Sequence, residues 1–206
     1  MKKFLKKRWP WIVGVCVIII AAVILLLTQC DNDKEPPVSA EPTLTIETPK
    51  KLSASQTEEF TLDVTISQLG DARYPAMSMS VAFDSSRLEF LGVAEGNLFV
   101  LSAENSSGQK LPDWSCNVQS SNDTGLINIM YLDMTGGKHA FTKDLMAEDY
   151  NVVLRLKFRL RGSVRSGDVL DLIVEDAVFA ASDETQSLAM TTNTLKVKNG
   201  KIVVGE

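Results

Sequence analysis

The sequence predicts an all-β protein, a nine-stranded sandwich of the jelly-roll or immunoglobulin-like kind preceded by one N-terminal transmembrane helix. Three observations carry this. Apolar and polar residues alternate with period two in many short runs, Gly and Asn/Asp clusters separate those runs, and no long helical pattern occurs after the first thirty residues. Before that point the chain is apolar almost without interruption.

Residues 1–8 form a basic flank with Lys2, Lys3, Lys6, Lys7 and Arg8 and no acid. From Trp9 to Thr28 only Pro10 and Gly14 interrupt the apolar run. About twenty residues at roughly 1.5 Å rise cross a hydrocarbon core of about 30 Å, so residues 9–29 read as a single-pass span. Basic residues in front and none close behind keep the flank cytoplasmic and send the remainder out, giving a cell-membrane protein with its C-terminal domain extracellular. Trp9 and Trp11 suit interfacial anchors. The run exceeds the ~7–15 residues of a cleavable signal and no small-x-small site precedes Asp31, which favours an uncleaved signal anchor. The alternative is a lipoprotein: Leu27-Thr28-Gln29-Cys30 is similar to a lipobox, with Gln29 in a position that usually holds a small residue, and it makes Cys30 a candidate lipidation site.

Residues 30–42 read as a linker, since Pro36, Pro37 and Pro42 among acids and small residues stay extended. Residues 43–206 are then one domain of about 160 residues, large enough to bury a core. All 26 acids of the chain follow residue 30, along with 16 of its 21 basic residues, so the linker and domain together carry about ten net negative charges. Such a surface repels phosphate backbones and excludes nucleic acid as a natural partner. Of the three cysteines, Cys16 lies in the apolar run, Cys30 at its end and Cys116 alone in the domain. An intradomain disulfide and a cysteine zinc site are thereby excluded.

Within the domain, strands are expected at Leu44–Thr48, Phe60–Ile66, Met77–Phe83, Leu88–Val93, Trp114–Gln119, Leu126–Met134, Val152–Leu160 and Val169–Phe179, with a closing pair at Leu195–Val197 and Lys201–Val204. In the third, Met77, Met79, Val81 and Phe83 share one side, and Ala76, Ser78, Ser80 and Ala82 the other. Asn122-Asp123-Thr-Gly125, Thr135-Gly-Gly137 and Asn199-Gly200 are turn chemistry, and the last reads as a hairpin. Residues 94–110 read as a loop crossing between sheets, and 143–150 as a turn of helix.

The order of several blocks resembles the cohesin domains of bacterial cellulosomes, from about Phe60 to Val204. Ala82-Phe-Asp-Ser-Ser-Arg-Leu-Glu-Phe90 is similar to the segment in which a strand of that family ends in an aromatic-Asp turn and resumes with Leu-Glu. Ala140-Phe-Thr-Lys-Asp144 is similar to its Ala-Ile-Thr-x-Asp stretch. Residues 153–162 followed by Asp176-Ala-Val-Phe-Ala-Ala-Ser-Asp183 resemble its C-terminal strand pair. The resemblance implies a nine-stranded jelly roll that grips a dockerin, a small calcium-loaded module on another protein. The calcium then belongs to the dockerin, and no cofactor is expected on this chain.

Carried over by position, the resemblance places the partner-binding face at Ala76, Ser78, Asn117, Gln119, Asn128, Met130 and Leu132. Alternation agrees for part of it. If Ile129 and Tyr131 point inward, Asn128, Met130 and Leu132 point out and leave apolar side chains on the surface. Ala76 and Ser78 stand where the family often has Asn and Asp, which removes charge-assisted hydrogen bonds and points to a divergent dockerin or another surface protein.

Two other readings compete. A carbohydrate-binding module would share the architecture but needs a platform of exposed aromatic rings, and the domain offers only Trp114, Tyr74, Tyr131 and Tyr150. An adhesin or spacer domain would need no specific ligand. An enzyme is not expected: His139 is the sole histidine, nucleophile and metalloprotease motifs are missing, and a carboxylate pair such as Asp133 with Glu175 or Asp176 has no pattern behind it.

Overall fold

The computed structural model describes residues 41–49, 52–70, 72–98, 114–134, 136–146, 151–182, 190 and 194–206. The expectations for residues 1–40, including the transmembrane span, the linker and Cys30, lie outside the described residues, as does most of the crossing loop after residue 98. Among the described residues no helix is long and apolar enough to cross a membrane.

Among the described residues eleven strands, where about nine were expected, form two sheets. In chain order they are β1 (Thr43–Ile46), β2 (Leu52–Ser53), β3 (Phe60–Ile66), β4 (Ala76–Phe83), β5 (Leu88–Glu95), β6 (Ser115–Cys116), β7 (Leu126–Leu132), β8 (Val152–Leu160), β9 (Val169–Ala180), β10 (Lys196–Lys198) and β11 (Gly200–Gly205). A helix α1 (Val118–Thr124) lies between β6 and β7, and one 3-10 turn at Lys143–Leu145 falls in the segment expected to form a turn of helix. The first sheet has the order β10-β1-β3-β8-β5 and the second β2-β11-β9-β4-β7-β6.

The alternation visible in the sequence becomes the inner and outer faces of these sheets. In β4, Met77, Met79, Val81 and Phe83 are buried, and in β7 Ile127, Ile129 and Tyr131 are buried. They meet Leu62, Val64, Leu154, Leu156 and Phe158 of the facing sheet. Aromatic rings fill both ends of the core. Phe60, Phe83 and Phe90 surround Phe158 at centroid distances of 6.2, 5.6 and 5.6 Å. At the other end Phe141 lies edge-on to Tyr131 and Phe179, 5.4 Å from each. Edge-to-face packing of this kind adds to the gain from area burial, because each ring's positive rim meets a negative face.

Two expectations are corrected. Asn199-Gly200 does not make a hairpin. β10 runs parallel to β1 in the first sheet, while β11 pairs antiparallel with β9 in the second, so the chain changes sheets at this dipeptide. The crossing is tight enough to demand glycine: a Cβ on Gly200 would stand 2.8 Å from Ile46 Cγ2. Asn199 serves the crossing by accepting a hydrogen bond from the Val174 N–H through Oδ1, at 3.0 Å.

The second correction concerns the strand expected over Trp114–Gln119. Only Ser115 and Cys116 pair with β7, opposite Met130 and Ile129. Asn117 then caps α1, its side chain accepting from the Ser120 N–H at 2.9 Å. Capping by Asn satisfies an amide that the first helical turn leaves free, and it outweighs the weak period-two pattern of this stretch. The helix ends at Gly125, at φ 71°, a left-handed cap that glycine adopts without a Cβ penalty.

Candidate functional site

The outer face of the second sheet can be read row by row from its register. β4 lies in the middle, with β7 and β6 on one side and β9 on the other. One row is Leu132, Ala76 and Ala180, and the next is Ser115, Met130, Ser78 and Val178. A third holds Asn128, Ser80 and Asp176, and a fourth Leu126, Ala82 and Ile173. A register shift in β9 leaves Glu175 unpaired opposite β4, and this bulge returns Ile173 to the outer face after Asp176.

The first two rows are apolar or small and contain no ionisable group. Met130 and Leu132 are each 56% exposed, and Met134, just past β7, is 81% exposed. Thioether and leucyl side chains so open to water on the sheet, beside the small Ala76 and Ser78, form an apolar patch without cover among the described residues. The third row closes the patch with polar groups, where the Ser80 hydroxyl donates to Asn128 Oδ1 at 2.8 Å. Between β4 and β6 lies a shallow depression of about 400 Å³ lined by residues that include Ser78, Ser80, Ser115, Asn117, Asn128 and Met130.

Of the residues assigned to this face from the sequence, Ala76, Ser78, Asn128, Met130 and Leu132 share the outer face, and Asn117 joins them at the rim of the depression. Gln119 does not. It sits in α1, away from the sheet ladder, and its amide donates to Asp123 Oδ1 at 2.9 Å, an i,i+4 contact on the helix surface. The sequence reading missed Val178, Ala180 and Asp176, because only the register of β9 against β4 brings them beside Ser78, Ala76 and Ser80. Alternation in Asp176-Ala-Val-Phe-Ala180 carried a signal, with Ala177 and Phe179 buried and their neighbours outward, but it could not name the neighbouring strand.

The competing sites do not assemble. Asp133 donates its N–H to Pro75 O, five residues along β4 from Ser80, the partner of Asp176. At ~3.3 Å per residue the two carboxylates are separated by about 16 Å along the strand, too far for an acid/base pair on one bond. Tyr74 and Tyr131 are each 2% exposed, and Trp114 packs on Tyr131 and Phe141 at 5.3 and 6.2 Å. Tyr74 and Tyr131 are core and Trp114 is half-buried against it, so the three do not form an exposed sugar platform; Tyr150 lies outside the described residues. The Tyr131 hydroxyl donates to His139 O at 2.8 Å, and burial followed by the charge of Asp133 raises its pKa.

The fold is a two-sheet β-sandwich with an uncharged apolar patch on the outer face of its second sheet. A profile of the Cohesin domain matches residues 43–204, and the chain belongs to that family. Nothing matches among curated proteins. Solved structures similar to the chain include the sixth cohesin of scaffoldin B from Acetivibrio cellulolyticus, in complex with a dockerin mutant, at 18% identity and a TM-score of 0.58. The alignment covers 80% of this chain and 99% of that one. The OlpA cohesin of Clostridium thermocellum, in a type I complex with a dockerin, is similar at 16% identity and a TM-score of 0.57, again over 80% and 99% of the two chains. A non-cellulosomal cohesin from the archaeon Archaeoglobus fulgidus aligns at 14% identity and a TM-score of 0.51, over 81% and 93%. At these identities the likeness concerns the fold.

Proposed function

We propose that this domain binds a dockerin-type module of another protein and carries no catalysis of its own. The observation behind the reading is the uncharged apolar patch of Leu132, Ala76, Ala180, Met130, Ser78 and Val178 on the outer face of the second sheet. From β6 to β9 the patch spans three strand spacings, about 14 Å, wide enough to seat one helix about 10 Å across. Met130 and Leu132 supply the dry centre, and Ser80, Ser115, Asn117 and Asn128 the polar rim, the division found in specific interfaces. Ala76 and Ser78 offer no carboxylate, so the partner helix that fits presents apolar or small residues at the centre of contact.

The apolar run at 9–29 supports a tether that holds the domain outside the cytoplasmic membrane, either as a signal anchor or through a lipid on Cys30. A surface-held cohesin then gathers dockerin-bearing proteins, polysaccharide-degrading enzymes among them, at the cell. The test is capture with residues 43–206 from secreted and surface proteins, in calcium and again in a chelator. Recovery of a dockerin-bearing protein in calcium alone supports the reading. Retention on plant or cell-wall polysaccharide with no protein recovered overturns it in favour of a carbohydrate-binding module.

A further inference from the structure

Helix α1 is fastened to the edge of the opposite sheet, largely through one side chain. Asn122 Oδ1 accepts from the Phe90 N–H at 2.9 Å, while its Nδ2 donates to Phe90 O at 2.8 Å and to Val118 O at 3.0 Å. Phe90 belongs to β5, the last strand of the first sheet, and lies at a register shift between Phe90 and Gly92. A carboxamide that takes both main-chain groups of an edge residue does the work of a neighbouring strand, and it closes an edge that would otherwise offer free hydrogen-bonding groups. Cys116 makes a second link, its sulfur reached by the backbone of Val93. Within α1, the buried Ser121 donates to Asn117 O at 2.8 Å, which ties the clamped helix to the residue at its head.

We infer that Asn122 is a positioning residue for the docking face. It holds α1 against β5, and through α1 and β6 it sets the Ser115 and Asn117 rim of the depression beside Met130. The ligand in this inference rests on the dockerin reading; the mechanics do not. An aspartate at this position could still accept from Phe90 N–H but would turn oxygens toward Phe90 O and Val118 O, and protonation would return one donor.

The test uses the full chain in detergent, with Asn122→Ala and Asn122→Asp beside the wild type. Cys116 exposure is followed with a pyridyl disulfide, read by peptide mass spectrometry, and affinity is titrated with a panel of calcium-loaded dockerins. Loss of two or three hydrogen bonds predicts roughly tenfold faster labelling of Cys116 and roughly tenfold weaker dockerin binding for Asn122→Ala, with the melting transition of the sandwich little changed. For Asn122→Asp, labelling relative to wild type falls back as pH is lowered from 7 to 4.5. A role in bulk stability alone predicts a lower melting temperature with no such pH-dependent return. Labelling and affinity within twofold of wild type would overturn the inference, and if the alanine variant does not fold, the aspartate pH comparison decides it. If wild type binds none of the dockerins, the partner reading falls, and the labelling of Cys116 judges the clamp alone.

Discussion

The outer faces of the two sheets are made by strands with the same alternation, yet they carry opposite chemistry. On the first sheet, β8 turns Arg155, Lys157 and Arg159 outward, and each meets an acid on a neighbouring strand or just before one. Arg155 Nε lies 3.0 Å from Asp63 Oδ1, Lys157 Nζ 3.5 Å from Glu59, and Arg159 3.3 Å from Glu89. Arg155 also donates to Glu95 O at 2.7 Å. That face is a self-neutralised ladder, finished by its own ion pairs. On the second sheet the outward positions of β4, β7 and β9 include Ala76, Ser78, Met130, Leu132 and Val178. A sandwich requires only one buried face per sheet, so stability does not explain an apolar outer face, and this is what the proposed partner accounts for.

The strongest way to break this contrast is to put a charge in the centre of the dry face. Met130→Asp is expected to weaken partner binding at least about a hundredfold, because a central apolar contact is lost and a carboxylate is buried against the partner. Thermal unfolding should stay near wild type, since Met130 is 56% exposed in the domain alone. Unchanged affinity in calorimetric titration would remove the face from the proposal.

Val178→Lys probes the strip that only the register revealed. Roughly a tenfold loss of affinity is expected at this position beside Ser78, and a loss equal to that of Met130→Asp would move the centre of contact toward β9.

On the finished face, Arg155→Met should cost about 1 kcal/mol in chemical denaturation, part-exposed ion pairs being worth little and one hydrogen bond to Glu95 O being lost as well. Partner affinity should not change, and a decrease would show that the two faces are coupled.

The smallest effect concerns Asp168, whose pKa is lowered first by the Arg165 N–H and then by the Arg87 guanidinium. A depressed carboxylate stabilises the fold above its unfolded pKa, and the contribution fades as pH falls through the folded value. Asp168→Asn should therefore be less stable than wild type near neutrality, and the difference should shrink in melts carried to acid below the ordinary carboxylate range. A gap that persists there would assign the effect to packing.

Much of this was legible one strand at a time. Phe60–Ile66, Val152–Leu160 and the inward Met77, Met79, Ile129 and Tyr131 follow from period two, because a strand sends alternate side chains to opposite sides whatever its neighbours are. The apolar outward pair Met130 and Leu132 followed by the same rule. Gln119 failed because a cap at Asn117 and a clamp at Asn122 win over a short alternating stretch, and although the cap is local, the clamp needs Phe90, 32 residues away in sequence.

The sequence by itself determined the sandwich class, the inner and outer side of most long strands, the negative charge of the domain and the exclusion of an intradomain disulfide, since these depend on local pattern and composition. Tertiary structure alone decided which strands lie side by side, that Asn199-Gly200 crosses between sheets instead of turning back, and that β9 extends the apolar patch with Val178 and Ala180. Pairing partners are chosen by the packing of the whole core and the closure of its edges, and no stretch of sequence contains that information alone.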